Sequence, residues 1–326
     1  MEFEGNHECD SSMSPNGGLS MGSKGFDIPP MAGCVAPSVL NDEFPLCPLA
    51  VLVCIAKLEH NYIEEFVQYH LALGFSRIYL FDNEDVPTYG ELLRTYVDAG
   101  QLMVIHLPGN NYLIENDAGQ RHHIAVQYLA LHIFTQQFMP DPQITHVAHI
   151  DIDEFIVLKK HKNICEFINE YIKDDCAGIG MNWRFFGSSF NTDPITKPVT
   201  ERFTMCAEKG DKHIKTIFRK DRFLKYDGCH TIKTTSGHIK STDGTIILGP
   251  FNETAPIDVI QVNHYKCKTL PEFRYIRTRM RADLVGGPKE DVDAEFKKHD
   301  INEVEDLSLR EQRELAVPFG THAKGN

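Results

Sequence analysis

Most features that would assign this sequence quickly are missing from it. Its nine cysteines are an odd number with no Cys-x-x-Cys pair, which points away from a disulfide framework and from a zinc site. No G-x-G-x-x-G follows the first apolar run and no Walker-A sequence occurs, which disfavours a nicotinamide dinucleotide and a glycine-rich phosphate cradle. No stretch approaches the roughly 18 apolar residues of a membrane span. The N-terminus, "MEFEGNHECDSSMSPNGGLSMGSKG", lacks the apolar core of a secretory signal. These absences predict a soluble chain in a reducing, cytoplasmic location, with no transmembrane segment. Basic residues are the minority, with 33 Lys plus Arg against 46 Asp plus Glu and a net charge of −13. That balance argues against nucleic acid as a partner, because phosphate backbones want a cationic face.

What is present begins after a long preface. Residues 1–45 have turn-forming composition without periodicity and are expected to be a flexible, disordered leader. "LAVLVCIAK" (49–57) is a short continuous apolar run, as a strand buried on both faces would be. Asn61 and Glu64 have the spacing of a capping box, followed by Ile63, Phe66, Val67 and His70 at helical spacing and a stop at Gly74. "RIYLFDN" (77–83) reads as a second strand. Leu92, Leu93, Tyr96 and Val97 mark a second helix, and "QLMVIHL" (101–107) a third strand. This βαβαβ order is half of a doubly wound α/β sheet, whose ligands bind outside the carboxyl ends of the strands. Those ends carry Lys57 with Glu59, and Asp82 with Asn83. The last two are also ordinary turn formers. Residues 121–138 read as a long helix with Ile124, Tyr128, Leu131 and Phe134 on one stripe.

"THVAHIDIDEFIVL" (145–158) then sets carboxylates inside an apolar run. Read as one strand, it turns Val147, His149, Asp151 and Asp153 to one face and Ala148, Ile150, Ile152 and Glu154 to the other. Two adjacent unpaired carboxylates in a sheet would cost several kcal/mol, as an order of magnitude, and a divalent cation offsets that cost directly. Hard oxygen ligands suit Mn²⁺ or Mg²⁺, ions that commonly bridge substrate phosphates. A structural pairing with arginine is the plainer alternative. "DVIQVNHY" (258–265) reads as a further strand with Ile260, Val262 and His264 on one face. Thr269 and Glu272 form a second capping box, ahead of "FRYIRTRMR" (273–281) on a solvated helix.

The segments "KLEHNYIEEFVQYHLALGFSRIYLFDN" (57–83), "HIDIDEF" (149–155), "NWRFFGSS" (182–189) and "QVNHYKCKTLPEFRYIRTR" (261–279), in this order, resemble the family-92 glycosyltransferases and related family-2-like enzymes. The resemblance implies a GT-A fold: a Rossmann-like α/β domain with a mostly parallel sheet flanked by helices, here one domain over residues 46–285. Residues 286–326 are set apart as a charged C-terminal extension. It further implies a metal-dependent enzyme that moves a sugar from a nucleotide-sugar, most often a UDP-sugar, to a glycan or other hydroxyl acceptor, with inversion. Asp151 would lie near the ribose or metal, Asp153 would coordinate the ion and His264 would complete its shell. Lys57, Glu59, Asp82 and Asn83 would line the nucleoside pocket, and Lys266 or Lys215 would face the diphosphate. Trp183 and Arg184 suit the acceptor rim. The catalytic base would be Asp211, Asp193 or Asp227, with Asp211 favoured beside Gly210 in an expected loop. The chain departs from the family in lacking a membrane anchor and in carrying Phe190 where glycine is common. Two other classes share the pattern: a metal-dependent nucleotidyltransferase or phosphohydrolase, and a non-catalytic sugar-nucleotide-binding protein.

Overall fold

The computed structural model describes residues 48–115, 121–192, 197–279, 282 and 291–316. The leader and Asp193 therefore lie outside the described residues. In chain order the elements are β1 (Ala50–Ala56), α1 (Ile63–Ala72), β2 (Arg77–Asp82), α2 (Tyr89–Leu92), α3 (Arg94–Asp98), β3 (Leu102–His106), β4 (Asn111–Glu115), β5 (Arg121–Ala125) and α4 (Val126–Ile133). A π-helical turn (Phe134–Phe138) extends α4. There follow β6 (His146–His149), β7 (Glu154–Leu158), α5 (Ile164–Tyr171), β8 (Cys176–Phe185), α6 (Val199–Arg202), β9 (Met205–Cys206), β10 (Asp211–Arg219), β11 (Phe223–Asp227), β12 (Thr231–Thr234) and β13 (His238–Lys240). The chain closes with β14 (Ile260–His264), α7 (Leu270–Ile276), α8 (Val292–His299), β15 (Val304–Glu305) and α9 (Ser308–Ala316).

One large sheet organises these elements in the order β3-β2-β1-β6-β10-β8-β14-β7, with β13 added to β8. Strands β1, β2, β3 and β6 are mutually parallel neighbours, and β14 and β13 run parallel to β8. Only the pairs β10–β6, β10–β8 and β14–β7 are antiparallel. The expected fold class therefore stands: α/β, with a mostly parallel sheet. Strand β1 is buried almost throughout because apolar layers cover both of its faces. On one side Leu52 and Cys54 join Phe66 and Val67 of α1; on the other Val51 and Val53 join Leu129 and Phe134.

Three local expectations change. Helix α1 begins at Ile63 after Tyr62, with no side-chain cap, so Asn61 and Glu64 make no capping box. The predicted helix over 121–138 splits, because its first five residues pair with β4 as the second strand of a hairpin. Their polar run, Arg121-His122-His123, has no helical apolar stripe to bury, and the chain becomes mostly buried only from Ala125. The strand at 145–158 breaks as well. Strand β6 ends at His149, residues 152–153 turn, and β7 starts at Glu154, so Asp151 and Asp153 occupy a tight connection rather than one strand face.

Residues 291–316, set apart in the sequence, are built into the same domain. Strand β15 pairs with β9, Leu309 is buried in the core, and Gln312 Oε1 accepts from both the Tyr69 hydroxyl and the Leu158 N–H at 2.9 Å. Cys54, Cys176, Cys206 and Cys267 are free thiols, whereas Cys165 is disulfide-bonded. The cysteines thus give no support to a reducing compartment. Among the described residues no helix is long and apolar enough to cross a membrane.

Candidate active site

The carboxyl ends of β1, β2 and β6 lie side by side because these strands pair in parallel, Ala56 against Asp82 and Val53 against His149. The turn after β6 projects the two aspartates there. Strand β14 runs antiparallel to β7 with His264 opposite Glu154, and Tyr265 N–H donates to the Asp153 carbonyl at 2.8 Å. That register brings His264 Nε2 to 3.6 Å from Asp153 Oδ2. Burial opposes a charge on Asp153, but His264, Lys268 and Arg279 hold its pKa well below the ordinary aspartate range. Burial pushes the His264 imidazole down, toward its neutral form, against the pull of Asp153. The buried Nδ1 of His264 has no hydrogen-bond partner among the described residues.

Asp151 keeps 36 % of its side chain exposed, yet both of its oxygens have internal partners. Its Oδ2 lies 2.8 Å from Lys215 Nζ and its Oδ1 accepts from Gln127 Nε2 at 3.0 Å. Lys215 is wholly buried and also meets Glu154 Oε2 at 3.4 Å. Burial works against its ammonium, but Asp151 and Glu154 carry its pKa above the usual lysine value. Glu154, wholly buried itself, bonds the Asp151 N–H at 2.9 Å and so ties the turn down. Lys215 is thus the internal counter-ion of the acidic turn and does not face a diphosphate. Asp151 is accordingly held as a support, and Asp153 with His264 is the pair that could ligate an ion. Among the described residues no third His, Cys, Asp or Glu joins them in a metal-holding group.

Around this pair lie cations that sequence reasoning missed or left unnumbered. Arg279 bonds Glu59 Oε1 at 2.8 Å and the Lys57 carbonyl, joining the end of β1 to the segment after α7. Lys268 is 3 % exposed, its ammonium rests 4.5 Å above the Tyr62 ring, and no carboxylate lies within ion-pair distance among the described residues. Its backbone is left-handed, φ +52°, as is that of Leu58 beside Lys57, φ +60°. Strain of this kind costs about 1–3 kcal/mol and clusters at functional sites. A lysine followed by Thr269 and a capping box was the one available signal for Lys268. Nothing in the local sequence distinguishes it from Lys266, whose ammonium instead sits 3.2 Å from Glu295 and 3.0 Å from His299.

The other expected residues divide. Glu59 is buried beside Arg279, with its Oε2 unpartnered among the described residues. Lys57 reaches outward to Asp85 at 2.9 Å. Asp82 is the turn former: wholly buried, it accepts the N–H groups of Glu84, Thr88 and Tyr89 at 2.7–3.0 Å. Asn83 likewise pins the loop after β3 through the Leu107 and Gly109 carbonyls. Both side chains are buried and hold loops in place. Arg184 is buried on the far side of β8, donating to Ala207 and ion-paired with Asp306, so it is not an acceptor rim. Alternation along β8 explains the contrast with its neighbour Trp183.

Trp183 sits within an aromatic cluster. His213 stacks on it at 4.9 Å and 19°, and His264 packs against it at 4.4 Å between centroids. Its buried indole N–H has no acceptor among the described residues. Asp211 lies opposite Trp183 in the sheet, opening β10 instead of lying in a loop, and its Oδ1 bonds His213 Nδ1 at 2.6 Å. Burial raises the Asp211 pKa, but His213 outweighs it and holds the carboxyl low. Asp227 is on the β11–β12 hairpin, ion-paired with Lys233 at 2.7 Å.

Comparison with known proteins supplies the rest. Two solved structures of S. aureus TarS 1–349 are similar at low level. The first has 14 % identity and TM-score 0.30, covering 52 % of this chain and 47 % of that one. The second, in complex with UDP, has 13 % identity and TM-score 0.31, covering 52 % and 46 %. This chain thus spans less than half the length of those structures, and at that distance no residue role passes between them. No curated protein matches it. The family model of Glycosyltransferase family 92, however, matches residues 50–306, from the first strand of the sheet through the carboxylate of Asp306. With its α/β sheet and the acidic turn at the strands' carboxyl ends, this chain belongs to glycosyltransferase family 92.

Proposed function

We propose that the protein transfers a sugar from a nucleotide-sugar, a UDP-sugar in the first instance, to a hydroxyl acceptor, with Mn²⁺ or Mg²⁺ bound at Asp153 and His264 and with inversion at the anomeric carbon. The observation that carries this reading is the Asp153–His264 pair at 3.6 Å beside the guanidinium of Arg279 and the ammonium of Lys268, which meets no carboxylate among the described residues. The donor set fits such an ion. One carboxylate and one neutral imidazole, the latter with an orphaned nitrogen, leave most of the coordination shell to substrate oxygens, as Mg²⁺ and Mn²⁺ sites on phosphate substrates do. When bound, the ion would neutralise charge on the departing diphosphate. The protein's own part is to bind and orient. Lys268 and Arg279 face the diphosphate, Glu59 and Lys57 flank the nucleoside, and the acceptor hydroxyl gives up its proton on the Asp211 side of Trp183.

Melting curves with UDP test this directly. UDP with Mn²⁺ should raise the melting temperature of the wild type, and neither EDTA-treated protein nor Asp153→Asn should respond. Equal stabilisation by UDP in EDTA would remove the metal from the reading. A panel of UDP-sugars with monosaccharide and short-glycan acceptors, read by mass spectrometry and with the product anomer assigned by NMR, identifies the donor; a retained anomeric configuration would overturn the single displacement.

A further inference from the structure

Strand β10 pairs regularly with β8 from Ile214 to Phe218 but slips between Asp211 and Ile214. Irregularities of this kind re-aim side chains next to active sites. Here the slip turns His213 onto Trp183. The imidazole is then held on three sides: Trp183 lies parallel to it at 4.9 Å, Phe251 meets it edge-on at 4.8 Å and 79°, and Asp211 Oδ1 bonds its Nδ1 at 2.6 Å. The same carboxylate oxygen accepts the His213 N–H at 2.9 Å, so Asp211 is fixed by the residue it orients. The other ring nitrogen, Nε2, has no hydrogen-bond partner among the described residues, and the side chain is 25 % exposed. Trp183 in turn touches His264, so this imidazole is one ring away from the Asp153–His264 pair.

We propose that His213 is the general base of the transfer reaction, taking the acceptor proton on Nε2, and that Asp211 is its positioning residue. This rests on the transfer reaction proposed above. As the acceptor oxygen bonds to the anomeric carbon, its proton passes to Nε2. The bond from that carbon to the diphosphate oxygen breaks, and its electron pair leaves with the nucleoside diphosphate. Asp211 offsets the imidazolium charge until the proton is returned to water. A carboxylate oriented on Nδ1 with Nε2 turned to substrate is the geometry that selects one tautomer and stabilises the charged ring. An imidazole whose Nε2 meets no partner among the described residues is better placed to take the proton than a carboxyl whose Oδ1 is already engaged by that imidazole and by its backbone N–H.

The test uses the full chain and the UDP-sugar and acceptor pair returned by the donor screen. His213→Gln should lower kcat by about 10²–10⁴-fold, the range of general-base catalysis, with UDP affinity measured by calorimetry within about twofold of wild type. His213→Ala should recover part of its kcat on addition of free imidazole, which a packing role would not produce. Asp211→Asn should lower kcat by at least about 10²-fold at unchanged KM for the donor. Transfer by His213→Gln within threefold of wild type, or an alanine variant that imidazole does not rescue, overturns the proposal. A wild type that transfers no sugar from any nucleotide-sugar overturns the parent reading instead, and takes this one with it.

Discussion

At the scale of single residues, the acidic turn is two different devices. Asp153 stays ionised through cations around it and stands beside an imidazole, whereas Asp151 is consumed by Lys215 and Gln127. The two aspartates should therefore fail differently. Asp153→Asn should abolish transfer and the Mn²⁺-dependent binding of UDP while leaving the melting temperature of the metal-free protein within a few degrees. Lys215→Met should unfold the turn: it strands Asp151 and Glu154, and breaking a buried pair costs about 3–5 kcal/mol. Chemical denaturation measures both, and a Lys215→Met variant as stable as wild type would show that Glu154 is carried uncharged. His149 belongs with this support. It is buried next to Gln127, and burial and Lys215 push its pKa down to about 3, which makes it a neutral core histidine.

At the scale of elements, what could be read in advance followed burial. Strands β1, β2, β3 and β14 were recognisable because each is a continuous or alternating apolar run ended by a turn former, and the box at Thr269 and Glu272 closes as its spacing required. Elements set by tertiary partners were not recognisable. The polar strand β5 exists because β4 pairs with it, and the break between β6 and β7 exists because Glu154 must reach the Asp151 N–H. Gly187 is a similar case. A Cβ there would stand 2.4 Å from the Ile301 carbonyl oxygen, a contact no local reading of "FFGSS" reveals. Gly187→Ala should therefore destabilise by about 1–3 kcal/mol, the usual range for overpacking, through the C-terminal segment; an unchanged thermal melt would mean that the segment can give way. Thr269→Ala should cost about 1 kcal/mol by removing the cap, and Thr269→Ser should restore most of it.

At the scale of the whole molecule, the site is assembled from parts far apart in sequence, and this is why its cations were the least legible. Arg279 reaches Glu59 across 220 residues, and Arg202 reaches Glu272 across 70, donating two hydrogen bonds to its carboxylate with the Tyr62 hydroxyl alongside. The last segment acts in the same way on the opposite side of the sheet. The Asp306 carboxylate, 6 % exposed, gathers Arg184 from β8, Gln261 from β14 and the Ser308 hydroxyl and N–H at the start of α9. Burial raises its pKa, but the Ser308 and Gln261 bonds and nearby Lys159 outweigh this and hold it below the ordinary 3.8. A carboxyl whose folded pKa is depressed contributes stability that is present above its unfolded pKa and is lost as pH falls through the folded one. Asp306→Asn should thus cost about 3–5 kcal/mol at pH 7, because it leaves Arg184 buried and unpaired. The gap between variant and wild type should narrow as pH drops below about 3.8, the unfolded value. Urea unfolding at pH 7, 5 and 3.5 reads both effects. A gap that stays constant across that range would mean that Asp306 holds the clasp by shape and neutral hydrogen bonds, and that the charge of the C-terminal segment contributes nothing to joining β8, β14 and α9.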